Sequence, residues 1–192
     1  MKKEIRTMCT EVRASPAGDG AELRFEGYAA MFNSPSEDLG GFIEQIAPGA
    51  FADAIANDDV RALFNHDPNY VLGRNKAGTL KLTEDEKGLR FDLTAPDIGW
   101  ARDLHASVKR GDIDQCSFAF GVEAEEWARG ERGEPDQRTL KKVRLYDVSI
   151  VTYPAYQATS VSARSYKNDK KTVNEIQKKK LDLKEKEMFN HE

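Results

Sequence analysis

The chain has 192 residues, 39% hydrophobic and 32% charged, with a formal net charge of −4. That length and apolar fraction suit one domain of ordinary size with a very polar surface or tail, and the acidic balance gives no electrostatic reason to expect a specific nucleic-acid partner. No apolar run approaches the roughly 20 residues needed to cross a bilayer, and Met1-Lys2-Lys3-Glu4-Ile5-Arg6 lacks the apolar segment of a secretory signal; the reading is a soluble protein of a reducing compartment, with no membrane partner.

In chain order, Glu4 to Arg13 alternates loosely as a strand, and Ser15 to Gly20 makes a turn. Leu23 to Tyr28 follows with clean period two, and Phe42 to Ile46 reads as a short strand. Pro48 to Ile55 reads as a short helix with Pro48 in its first turn. Val60 to His66 is the next strand, stopped by Asp67-Pro68. Leu72 to Leu82 and Gly88 to Leu93 form a meander around a charged turn. Asp97 to Lys109 is the strongest helix, with Trp100, Ala101, Leu104, His105 and Val108 on one stripe and Gly111 at its end. Ser117 to Glu123 is a strand, Ala128 to Gln137 a polar loop, and Thr139 to Thr152 the longest apolar strand.

Many strands with two inserted helices point to a mainly β fold with helices outside, a barrel or sandwich rather than an alternating parallel α/β fold. The composition changes after Tyr166. Residues 167–192 carry eight Lys and six acidic residues, a net +2 against −6 for the rest. The expected division is therefore a domain over 1–166 and a charged tail over 167–192, helical or unstructured.

Three polar residues stand in short apolar segments: His66 after Leu63-Phe64, Ser117 in Cys116-Ser117-Phe118-Ala119-Phe120, and Asp147 in Leu145-Tyr146-Asp147-Val148-Ser149-Ile150. Burying such groups is costly without partners. Their types match a nucleophile, a base and an orienter, so each is a candidate partner of the others. Ser117 shares its strand face with the small Ala119 and Gly121, and His66 ends a strand, where a scaffold holds side chains rigidly. Alternation places Leu145, Asp147, Ser149 and Val151 on one side of a doubly covered strand. The competing readings are an ordinary strand serine, a structural or turn-capping histidine, and an Asp147 ion pair with Arg144, Arg74 or another basic side chain. Cys116 is a rival nucleophile and His105 a rival base; both sit on apolar faces that favour a structural role. Cys9 and Cys116 make no disulfide framework, and with His66, His105 and His191 they lack zinc-ligand spacing, so no metal or other cofactor is expected.

Taken together, the segments resemble the prohead proteases of tailed bacteriophages. The resemblance runs in order through Phe25-Glu26-Gly27-Tyr28-Ala29-Ala30-Met31-Phe32-Asn33, Ile46-Ala47-Pro48-Gly49-Ala50-Phe51, Leu63-Phe64-Asn65-His66-Asp67, Leu72-Gly73-Arg74, Ser117-Phe118-Ala119-Phe120 and Asp147-Val148-Ser149-Ile150-Val151-Thr152-Tyr153-Pro154-Ala155-Tyr156. It implies an assemblin-like closed, mainly antiparallel β-barrel surrounded by a few helices. It also implies a serine endopeptidase working inside the procapsid in the host cytoplasm. Its substrates would be the scaffold, the scaffolding segment of the major capsid protein, and the enzyme itself. The family's His and Ser fall on His66 and Ser117. Asp147 stands where the family often has Glu, and His105 is the body's alternative to the second His of the herpesvirus branch. The resemblance does not fix the oxyanion hole, for which backbone N–H groups with Arg74 nearby are the candidates, and a homodimer is compatible with the resemblance although no dimer face is identifiable. A catalytically inactive capsid-assembly protein on the same fold is the alternative.

Overall fold

The computed structural model describes residues 2–8, 12–14, 22–131 and 134–153. The elements are β1 (Glu4–Met8), β2 (Val12–Ala14), β3 (Leu23–Met31), β4 (Phe42–Ile46), α1 (Ala52–Asn57), β5 (Arg61–Phe64), β6 (Asp67–Arg74), β7 (Leu80–Glu84), β8 (Gly88–Ala95), α2 (Gly99–Arg110), β9 (Gln115–Ala128) and β10 (Asp136–Val151), with a 3-10 turn at Asn75–Ala77. The expected turn at 15–20, the division at 166, and the Lys-rich tail lie outside the described residues.

Period-two alternation builds the smaller sheet, ordered β2-β3-β8-β7. Phe25 pairs with Leu93 across β3 and β8, and Leu82 pairs with Phe91 across β7 and β8, all buried. Helix α2 buries Ala101, Leu104, His105 and Val108 of the stripe read from its sequence, and leaves Trp100 half-buried against the core. Gly111 closes it with φ 85° and donates its N–H toward Ser107 and Val108 carbonyls, the left-handed cap that glycine adopts without a Cβ clash.

The larger sheet runs β1-β9-β10-β5-β6, and β4 also pairs with β10. Apolar residues from both sheets, including Phe25, Phe91, Phe118, Phe120 and Val148, form one core. Phe118 stacks on Phe120 and meets Phe51 edge-on.

The expected closed antiparallel barrel is not what the chain forms. Both sheets are open and the larger is mixed. The cause is the length of β10. One of its edges is taken by β9; the other serves two parallel partners in succession, β4 against Asp136–Leu140 and β5 against Asp147–Ile150. The sheet therefore branches along β10 instead of curling round to meet its first strand, and no strand pairing joins β1 to β6 among the described residues.

Two local differences matter for the site. Asp67-Pro68 begins β6 rather than stopping the previous strand, because β6 is an edge strand and tolerates a proline without N–H. Register also shifts between Leu145 and Asp147 on β10: Leu145 lies opposite Phe120, whereas Asp147 lies opposite Ala119. The extra residue is a β-bulge at Tyr146. It breaks the simple alternation, so Leu145 joins the Phe120 face while Asp147 and Ser149 join the Ser117 face.

Candidate active site

Ser117 is held in the middle of the larger sheet, directly opposite Ser149 on β10. His66 does not end a strand. With Asn65 it forms the two-residue turn of the β5–β6 hairpin, both residues at positive φ (53° and 57°), as a type I′ turn requires. Neither residue is glycine, so the conformation carries about 1–2 kcal/mol of local strain per residue. Asn65 anchors the turn. Its N–H donates to the Ile150 carbonyl (2.9 Å) and its Oδ1 accepts from the Thr152 N–H (2.9 Å). The hairpin tip is thus clamped to the end of β10, and the imidazole is aimed over the Ser117 face.

The three residues singled out in sequence come together. His66 Nε2 lies 2.6 Å from Ser117 Oγ, and His66 Nδ1 lies 2.5 Å from Asp147 Oδ1. Ser149 Oγ donates to the same Asp147 oxygen at 2.9 Å and is 3.2 Å from His66 Nδ1. Lys3 Nζ meets the other Asp147 oxygen at 3.1 Å. Burial alone would raise the carboxyl pKa of Asp147; the hydrogen bond and charge of His66, with Lys3, outweigh it and hold the pKa below the ordinary carboxylate value. The carboxylate is buried yet matched on both oxygens, which avoids the several kcal/mol that an unpaired buried charge costs. With Asp147 ionised, the consistent tautomer has a proton on Nδ1 and a free lone pair on Nε2 facing the serine.

The rivals lie elsewhere. Cys116 is buried on the opposite strand face, and burial pushes its thiol pKa up, so the thiolate that a nucleophile needs is suppressed. His105 is buried on α2 with its ring edge-on to Phe25 at 5.2 Å. Arg74 forms a two-point pair with Asp59 (2.6 and 2.7 Å) on the exposed side of the hairpin, and Arg144 pairs with Asp58. Neither arginine is the Asp147 partner. The sequence allowed a basic partner for Asp147 without naming Lys3, and gave Ser149 no role at the site. Ser149 carried a signal, a second hydroxyl in the same apolar run two residues from Asp147; Lys3 carried none.

A serine hydroxyl, an imidazole and a buried carboxylate in hydrogen-bonded series are equipped for acyl transfer through a covalent intermediate. Comparison with known proteins points the same way. The family profile described as caudovirus prohead serine protease matches residues 9–172. The prohead protease of Enterobacteria phage HK97 is 34% identical over 173 residues, covering 88% of this chain and 71% of that protein. The solved structure of the bacteriophage T4 capsid assembly protease superposes with a TM-score of 0.52 at 12% identity, over 78% of this chain and 97% of that one, which is a likeness of fold. The chain belongs to the caudovirus prohead serine protease family and is a serine protease.

Proposed function

We propose that Ser117, His66 and Asp147 are the catalytic triad of a procapsid-maturation endopeptidase. His66 Nε2 removes the Ser117 proton as Oγ attacks a peptide carbonyl. The imidazolium that forms is offset by Asp147, which also fixes the ring's orientation through Nδ1. His66 then protonates the leaving amine and the acyl-enzyme forms. Water, deprotonated by His66, attacks the ester; the acid product leaves and Ser117 recovers its proton. Ser149 positions Asp147 through Oδ1, and Lys3 matches its other oxygen while β1 lies in place. The cycle uses only side chains and water.

The observation that carries this reading is the continuous series Ser117 Oγ–His66–Asp147 at 2.6 and 2.5 Å. Membership of the family supports action within the procapsid, in the host cytoplasm, on the major capsid protein and scaffold. A further substrate is the protease itself, with cleavage in the polar segment 165–171 that precedes the Lys-rich run. Co-expression of the chain with its capsid protein and scaffold, followed by mass spectrometry of intact chains, tests this. Wild type should yield truncated capsid protein, scaffold fragments and a shortened protease; Ser117→Ala should yield all three at full length. Processing by the Ser117→Ala variant would refute the assignment.

A further inference from the structure

The first strand covers the nucleophile. Ser117 is 0% exposed, and β1 lies along β9 as the outermost strand of its sheet, with Thr7 opposite Ser117 and Arg6 opposite Phe118. Ser117 Oγ donates to the Arg6 carbonyl at 3.0 Å. A hydroxyl has one proton, so this bond competes with the one to His66 Nε2. An edge strand held only for packing has no need of a carbonyl on the nucleophile.

The Arg6 side chain is held as closely as its carbonyl. Its Nε donates to Glu44 Oε1 at 2.7 Å and its Nη2 to Glu44 Oε2 at 3.1 Å, a two-point pair on a carboxylate that is 4% exposed. The guanidinium also lies 5.5 Å from the centre of the Phe120 ring. Two residues earlier, on the same strand face, Glu4 accepts from Arg138 at 3.0 Å. Arg138 is fixed independently of β1 by Glu44 (2.9 Å) and Glu125 (2.7 Å). Without β1, then, the body offers one net negative charge, a buried carboxylate beside an aromatic face, and an arginine one strand-repeat away.

We propose that the β9 edge beside Ser117 is the substrate-strand site and that β1 fills it as a stand-in. The peptide it takes is extended, pairs antiparallel with β9, places a basic side chain on Glu44 and Phe120 at the residue whose carbonyl is attacked, and places an acidic side chain on Arg138 two residues before. This rests on the reading of Ser117 as the nucleophile. Substrate must displace β1 first, so weakening the Arg6 anchor opens the enzyme. Backbone pairing supplies most of the affinity in such strand addition, and the side-chain pockets supply the selectivity.

The test uses the full chain and a labelled peptide of sequence Glu-Ile-Arg-Thr-Met flanked by Gly-Ser, with matched peptides carrying Leu or Glu in place of Arg. Cleavage is read by mass spectrometry and binding by fluorescence anisotropy on Ser117→Ala chains. Wild type should cut the Arg peptide after Arg, with kcat/KM at least tenfold above the Leu and Glu peptides. Arg6→Ala should raise kcat/KM for the Arg peptide severalfold, and the Arg6→Ala, Ser117→Ala double variant should bind it at least tenfold tighter than the Leu peptide. Glu44→Gln should shrink the Arg-to-Leu preference. Equal cleavage and equal binding of all three peptides would overturn the proposal. Arg-selective binding without any cleavage would leave the docking site standing and refute the nucleophile; cleavage without Arg selectivity would do the reverse.

Discussion

The two sheets bury different things. Against the core, the smaller sheet presents apolar side chains such as Phe25, Leu80, Leu89, Phe91 and Leu93. The larger sheet buries Glu44, Ser117, Arg138, Asp147 and Ser149 as well as its apolar residues. Every buried polar group left unmatched costs about 1–3 kcal/mol, so such groups accumulate where chemistry or recognition requires them. The smaller sheet is an apolar backing that shares its core with β9 and β10; the larger sheet carries the reactive groups on its Ser117 face and the Arg6–Glu44–Arg138 network on the Phe118–Phe120 side. The division teaches that substitutions in the two sheets should fail differently, one in activity and the other in stability.

The sharpest break comes at the nucleophile. Ser117→Ala should lower kcat by ~10⁴-fold or more while changing stability by about 1 kcal/mol, since only a hydroxyl is lost; kinetics on a cleaved peptide and a denaturant titration read both. Asp147→Asn should fold and lose roughly 10⁴-fold in kcat, because the neutral amide no longer fixes the imidazole tautomer or offsets its charge; full activity there would show that another group orients His66. In the backing sheet the pattern should invert. Phe91→Ala should cost about 3–5 kcal/mol of stability, with kcat per folded molecule near wild type. A loss of kcat without a loss of stability in that variant would blur the division between the sheets.

Smaller effects sharpen it further. Ser149→Ala removes the second hydrogen bond to Asp147 Oδ1 and should lower kcat about tenfold, with recovery in Ser149→Thr; unequal effects on kcat and KM separate positioning from substrate contact. Acid should act through Asp147 and Glu4, whose folded pKa values lie below their ordinary values of 3.8 and 4.5. A depressed folded pKa means that the unfolded chain binds protons first as pH falls. The stability these carboxylates contribute is therefore complete above their ordinary values and is lost as pH drops through the lowered ones. Unfolding midpoints measured from neutral pH to below pH 3.8 should fall in that window, and the Asp147→Asn variant should show a shallower fall.

Much of this site was legible because polar residues in apolar segments are conspicuous. His66, Ser117 and Asp147 stood out for that reason, and α2 stood out through its stripe and Gly111. The backbone devices that bring the three together left weaker traces. Asn65-His66 lacks the glycine that usually marks a type I′ hairpin, and Pro68 looked like a strand stop because edge position is not written in a single strand's sequence. The Tyr146 bulge is hidden because both sides of β10 are apolar, so a one-residue shift does not disturb the pattern. Parallel pairing of β4 and β5 on one edge of β10 is long-range and has no periodicity of its own, which is why an open branched sheet replaced the expected barrel. Lys3 reaches Asp147 from a segment 144 residues away, a distance no local pattern spans.

Activation of Ser117 by His66 is read most directly by covalent labelling. The full-length chain, with Arg6→Ala to loosen the covering strand, is treated with an organofluorophosphonate and digested for mass spectrometry. A single adduct should form on Ser117 at neutral pH and be suppressed at least a hundredfold in His66→Ala. An adduct on another residue, or labelling of Ser117 at an undiminished rate without His66, would contradict that activation.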